Sequence, residues 1–99
     1  MIEADVEGAV TEWAEANGFL SRKMKYIGRH GCRDRDFYGF GHIVPVEFKR
    51  PGKTAAIHQA RERDRLAAVG VTIHIIDNTE AGVALLKRAR ANPRTDALA

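Results

Sequence analysis

The stretch Val44-Pro45-Val46-Glu47-Phe48-Lys49-Arg50-Pro51-Gly52-Lys53 constrains this chain more than any other. Side chains of a strand alternate between two faces, so Val44, Val46 and Phe48 share one face while Glu47 and Lys49 share the other. Pro51-Gly52 ends the run, because proline has no N–H for a ladder and the pair favours a turn. A sheet that buries the valine face therefore carries a carboxylate and an ammonium side by side on its opposite surface. Such a pair is either an ion pair on a solvated sheet, which contributes little, or half of a metal-dependent hydrolytic site. In the second case the carboxylate holds a divalent cation and the lysine handles a water or a phosphate oxygen. The tripeptide by itself does not choose.

The flanking segments bring more polar groups to that surface. Cys32–Tyr38 reads as a strand closed by the Gly39–Gly41 turn, with Asp34 and Asp36 on one face and Phe37 on the other. Antiparallel pairing with 42–49 sets the beginning of this strand beside the end of the next, and so Asp34 near Glu47 and Lys49. Upstream, residues 2–17 form an amphipathic helix through Val6, Ala9, Val10, Trp13 and Ala14, stopped by Gly18. Glu7 sits at the edge of its buried stripe and is placed to lean over the sheet, with Glu3 as the other candidate. A short strand spans 19–27, and Gly28-Arg29-His30-Gly31 is a cationic loop. Downstream, a helix from Thr54, its N-cap, to Val69 puts Gln59 and Leu66 on one stripe, so that Gln59 faces the sheet. Val71–Asp77 is apolar enough for a central strand, and Asn78-Thr79 opens a last helix that runs to Ala89. The order α-β-β-β-α-β-α predicts an α/β fold, a mixed sheet with helices packed on it. One domain is expected over 1–91 and a frayed tail over 92–99.

Charge suggests the partner. Ile2–Asn17 holds five acids and no base, whereas Gly18–Arg35 holds six Lys or Arg against the single acid Asp34. A phosphate backbone is a natural partner for such a run. Arg22, Lys23, Lys25, Arg33, Arg35 and Lys53 are the expected nucleic-acid contacts, with Arg61 and Arg63 further candidates. Contacts to phosphates rather than bases predict selection by shape. With 44% hydrophobic and 29% charged residues the composition is that of an ordinary globular domain. No apolar run is long enough for a bilayer and no leader pattern opens the chain, so no membrane partner is expected. A lone cysteine, Cys32, fits a reducing compartment, and the cytoplasm is the expectation.

Asp34, Glu47, Lys49, Gln59 and Glu7 form an all-oxygen set with one amine. Carboxylates that converge repel unless a cation lies between them. Oxygen donors select magnesium or manganese over zinc, so Mg2+, with Mn2+ as substitute, is the expected cofactor, and no small-molecule cofactor is implied. His30, Cys32 and His42 lack the second close pair a zinc site would need. Trp13, Phe19, Phe37 and Phe48 read as core, whereas Tyr38 and Phe40 in the turn are placed to touch nucleic acid. Phosphodiester hydrolysis is the reaction these parts suit.

At this point the motifs resemble a known family. Gly31-Cys32-Arg33-Asp34-Arg35, Val46-Glu47-Phe48-Lys49-Arg50-Pro51-Gly52, Gln59 and Gly70-Val71 together resemble the virus-type replication-repair nuclease (VRR-NUC) branch of the PD-(D/E)xK nucleases, over the chain to about Ala89. The resemblance implies a restriction-endonuclease-like core. It makes Asp34, Glu47, the Phe48 main-chain carbonyl and Glu7 metal ligands, Lys49 the catalytic lysine and Gln59 a supporting residue. Asp36 is the alternative to Asp34. Arg33 stands where the family has proline, which implies a looser approach to Asp34. The implied activity is that of a Mg2+-dependent endonuclease on DNA, structure-selective for branched forms such as Holliday junctions, working as a homodimer. Two other classes stay open, namely a non-catalytic nucleic-acid-binding module on the same fold and an oligomerising domain whose Glu47–Lys49 pair is structural.

Overall fold

The structure, a computed structural model, describes residues 3–49 and 57–95. Lys53 and the proposed cap Thr54 lie outside the described residues, as does the Glu3 side chain. Chain order is α1 (Glu3–Ala16), β1 (Leu20–Lys23), β2 (Arg35–Gly39), β3 (His42–Phe48), α2 (Ile57–Ala68), β4 (His74–Ile76) and α3 (Thr79–Ala91). The four strands make one sheet in the order β1-β2-β3-β4. β1–β2 and β2–β3 are antiparallel and β3–β4 is parallel, reached through the α2 crossover. This is the mixed α/β architecture and the element order expected from the sequence.

The alternation along β3 operates as expected. Val44, Val46 and Phe48 are buried with Phe37 and Ile76 beneath Val6, Val10 and Ala14 of α1 and Leu85 and Leu86 of α3. Fully burying a side chain such as Phe48 or Leu86 contributes about 1.5–3 kcal/mol, which fixes that face of β3 and therefore turns Glu47 to the opposite one. α3 is capped by Asn78, whose side chain accepts from the Ala81 N–H at 2.8 Å. Trp13 is only half-buried, with the guanidinium of Arg90 5.3 Å and the ammonium of Lys87 6.0 Å from its ring centroid.

The hairpin between β2 and β3 turns on Phe40 and Gly41, whose φ values of 55° and 81° are both positive. That pattern suits a two-residue turn whose twist matches the strands. Phe40 tolerates the left-handed conformation while its ring stacks edge-on against Phe19 at 5.2 Å.

Four expectations are corrected. β1 stops at Lys23, and 24–34 runs as a loop tied to the sheet through the Met24 N–H to Asp34 carbonyl bond at 2.9 Å. β2 begins at Arg35, not Cys32. β4 spans only His74–Ile76 and is an edge strand, because no described strand pairs beyond it. Its apolar character serves two faces, since Ile76 joins the core while Ile75 stays 42% exposed. Finally, of the tail expected to fray over 92–99, residues 92–95 are held against the hairpin, while 96–99 lie outside the described residues. The Arg94 N–H donates to the Phe40 carbonyl at 2.8 Å and His42 Nε2 donates to the Asn92 carbonyl at 2.6 Å. Gly41 permits this: a Cβ there would lie 1.8 Å from the Arg94 carbonyl oxygen.

Candidate active site

The β2–β3 register pairs Arg35 with Val46, and the Asp34 N–H donates to the Val46 carbonyl at 3.1 Å. Continued by one residue, this sets Asp34 opposite Glu47. The Asp34 carboxylate turns along the strand, and its Oδ2 accepts from the Phe48 N–H at 2.6 Å. Glu47 is 2% exposed, and its Oε2 has no hydrogen-bond partner among the described residues. The nearest cation, Lys49 Nζ, stands 3.7 Å from that oxygen, an ion pair too long to be a hydrogen bond. Lys49 donates instead to Gln59 Oε1 at 2.5 Å, while Gln59 Nε2 donates to the Cys32 carbonyl at 3.3 Å. One amide from α2 thus holds the lysine and is itself held by the loop that leads to Asp34. That loop meets α2 at van der Waals limits, for a Cβ on Gly31 (φ +92°) would lie 2.4 Å from the His58 carbonyl oxygen.

Burial pushes both carboxyls above the usual carboxylate range. For Asp34 the Phe48 N–H opposes that rise, Glu7 adds to it, and Lys23 and Lys49 draw it down. For Glu47 the Lys49 charge opposes it, Asp34 adds to it, and Arg63 lowers it. Two desolvated acids, one with an orphaned oxygen, beside a tethered ammonium are a fitting donor set for a hard divalent cation.

The wider set departs from expectation. Among the described residues no three His, Cys, Asp or Glu side chains are gathered to hold a metal ion. Glu7 does lean over the sheet, but Oε2 is taken by Lys23 at 2.8 Å and Arg35 at 2.7 Å. It therefore neighbours Asp34 electrostatically without joining the carboxylate pair. The same contacts engage Lys23 and Arg35. Arg33 also turns inward, gripping Asp36 through two bonds of 2.6 Å. Asp36, 3% exposed, accepts in addition from Tyr38 Oη at 3.0 Å. Its carboxylate is thereby occupied on both oxygens, which sets it apart from Asp34. Of the expected phosphate contacts, Arg22, Lys23 and Lys25 are exposed, while Arg33 and Arg35 are structural partners of acids.

One feature escaped the sequence. Glu62 is the buried residue of α2, accepting from Tyr26 Oη at 2.6 Å and Arg65 Nε at 3.0 Å. These donors hold its carboxyl below the usual range. Its place three residues after Gln59, on the same helix face, was the available signal. Arg63, a candidate phosphate contact from the sequence, lies one turn beyond Gln59, and its Nη1 is buried without a hydrogen-bond partner among the described residues.

A mixed sheet with α1 and α3 on one face and the Asp34–Glu47–Lys49 group on the other defines a domain of restriction-endonuclease-like fold. Among solved structures, a chain described as "VRR_NUC domain" is similar to this one at 29% identity with a TM-score of 0.74, covering 86% of this chain and 94% of that chain. The VRR-NUC resemblance carried by the motifs is thus matched in three dimensions, and it supports a nuclease-family domain. No family model and no curated protein matches the sequence.

Proposed function

We propose that this chain is a metal-dependent endonuclease that hydrolyses DNA phosphodiester bonds, selects branched DNA such as Holliday junctions, and works as a homodimer. The observation that carries the reading is the buried, unpartnered Glu47 Oε2 beside Asp34 and beside a lysine tethered by Gln59. Asp34, Glu47 and the Phe48 carbonyl would hold Mg2+, or Mn2+ in its place. When bound, the ion supplies Lewis-acid polarisation and a more acidic water. The protein's own contribution is orientation. Gln59 occupies one donor of the Lys49 ammonium and leaves two for a water or for charge developing on phosphorus. The strand pair holds Asp34 against the Phe48 N–H, so both acids are positioned before any ligand arrives. Exposed Arg22, Lys23 and Lys25, together with Lys53, would meet phosphates rather than bases, which favours recognition by shape. A twofold pair of sites would serve two-strand cleavage.

Labelled four-way junctions, flaps, duplex and single strands incubated with Mg2+ or Mn2+ test this directly. Wild type should cut branched DNA, and Glu47→Ala and Lys49→Ala should bind it but cut at least a hundredfold more slowly. Cleavage that survives both substitutions refutes the site. Binding by wild type with no turnover on any substrate supports the binding-module reading.

A further inference from the structure

Arg63, a charged side chain on the Gln59 face of α2, has no role in the catalytic set. Its Nη1 is buried and makes no hydrogen bond among the described residues. An orphaned, buried guanidinium nitrogen is costly, and such groups persist where a ligand satisfies them. The acids nearby are already spoken for. Asp36 is gripped by Arg33 and Tyr38, and Glu62 by Tyr26, Arg65 and Arg29. Glu47 feels the Arg63 charge, yet its Oε2 likewise lacks a hydrogen bond. A buried cationic donor and a buried anionic acceptor thus both lack a hydrogen bond among the described residues, while the charge of the one acts on the other.

Helix geometry says what lies between them. Gln59 and Arg63 are separated by four residues on α2, so they stack on one helix face. Gln59 reaches Lys49, and Arg63 therefore flanks the same space one turn further along. The groups linked there by contact, charge and helix spacing are two cations, Lys49 and Arg63, and two carboxylates, Asp34 and Glu47. The chemistry that satisfies all four is a divalent ion on the carboxylate side with a phosphoryl group on the cationic side. A planar guanidinium matches phosphoryl oxygens better than an ammonium does.

We propose that Arg63 donates to a non-bridging oxygen of the scissile phosphodiester, opposite Lys49. This rests on the nuclease reading above and sharpens it, because it makes Arg63 a residue of the reacting phosphate rather than of the flanking backbone.

The test is the salt dependence of DNA binding, measured by fluorescence anisotropy on a labelled four-way junction with Ca2+ in place of Mg2+. Each phosphate contact contributes about 0.9 to the slope of log K against log salt. Arg63→Met should lower the slope by about one, and Arg63→Lys should restore it. With Mg2+, Arg63→Met should also slow single-turnover cleavage about a hundredfold. An unchanged slope in Arg63→Met overturns the proposal, since a residue that only neutralised Glu47 would leave phosphate contacts intact. Where circular dichroism shows Arg63→Met to be unfolded, Arg63→Gln, polar but uncharged, is read in its place by the same criterion. If wild type binds but never cleaves, the nuclease reading fails while the slope still decides Arg63. If wild type binds no DNA, both fail.

Discussion

Glu47 is placed where its chemistry is useful and its energetics are poor. It is buried at 2% exposure, one oxygen has no hydrogen bond, and its closest cation stands 3.7 Å away. A site that holds a desolvated carboxylate for a ligand gives up stability while the ligand is absent. Glu47→Gln should therefore raise the melting midpoint of the metal-free protein at pH 7–8 by several degrees, on the order of 1 kcal/mol, while abolishing cleavage. The sign with pH follows from burial, which raises the folded-state values of Asp34 and Glu47. Their contribution to folding is fully present below the ordinary carboxylate value, about 4, and is lost as pH rises through the raised values. Melting curves of wild type and Glu47→Gln should therefore converge near pH 4 and separate toward neutrality. A gap that stays constant across that range would contradict the assignment.

At the scale of elements, α2 differs from the other helices in how it is held. α1 and α3 bury Val6, Val10, Ala14, Leu85 and Leu86 in the core, whereas the buried residue of α2 is Glu62. Its attachment runs through Gln59 to Lys49 and Cys32, and through Glu62 to Tyr26. Little apolar burial supports it, so α2 should open at lower free energy than the core. Amide exchange followed by mass spectrometry should show α2 peptides exchanging faster than those of α1 or α3. The Arg33–Asp36 pair belongs to the same attachment. Arg33, where the resembled family has proline, does not loosen the approach to Asp34 but clamps it by a bidentate bond to the sheet. Removing one member of such a buried pair costs about 3–5 kcal/mol. Asp36→Ala should lower the midpoint by more than 10 °C, read by thermal melting, at 4–8 °C per kcal/mol in a domain of this size.

For the whole molecule, the site belongs to the folded state alone, because Asp34, Glu47 and Gln59 come from three separate segments. A cation that binds this arrangement binds the native state preferentially and stabilises it by mass action. Adding Mg2+ or Mn2+ at a hundred times its dissociation constant should raise stability by about 2.7 kcal/mol. The increase should disappear in Glu47→Gln. Sedimentation of the free protein and of its junction complex would establish the stoichiometry that two-strand cleavage calls for. Among the described residues no helix is long and apolar enough to cross a membrane.

Local rules written in the sequence determined most of the frame. The alternation of Val44, Val46 and Phe48 against Glu47 fixed which face of β3 would join the apolar core and which would carry the carboxylate, and the Gly39–Gly41 turn fixed the hairpin. From these came the meeting of Asp34 with Glu47 and the inward turn of Gln59. Period and register are short-range properties, legible from neighbours along the chain. Only the tertiary structure decided the partners of the charged groups. Glu7 went to Lys23 and Arg35, Arg33 to Asp36, and the Arg63 Nη1 was left without a hydrogen bond among the described residues, because ion pairing depends on distances between segments that sequence spacing does not encode. The edge position of β4 and the docking of Asn92 and Arg94 on the hairpin were settled the same way. Each depends on which surfaces remain once α1 and α3 have covered the sheet, and no local pattern carries that information.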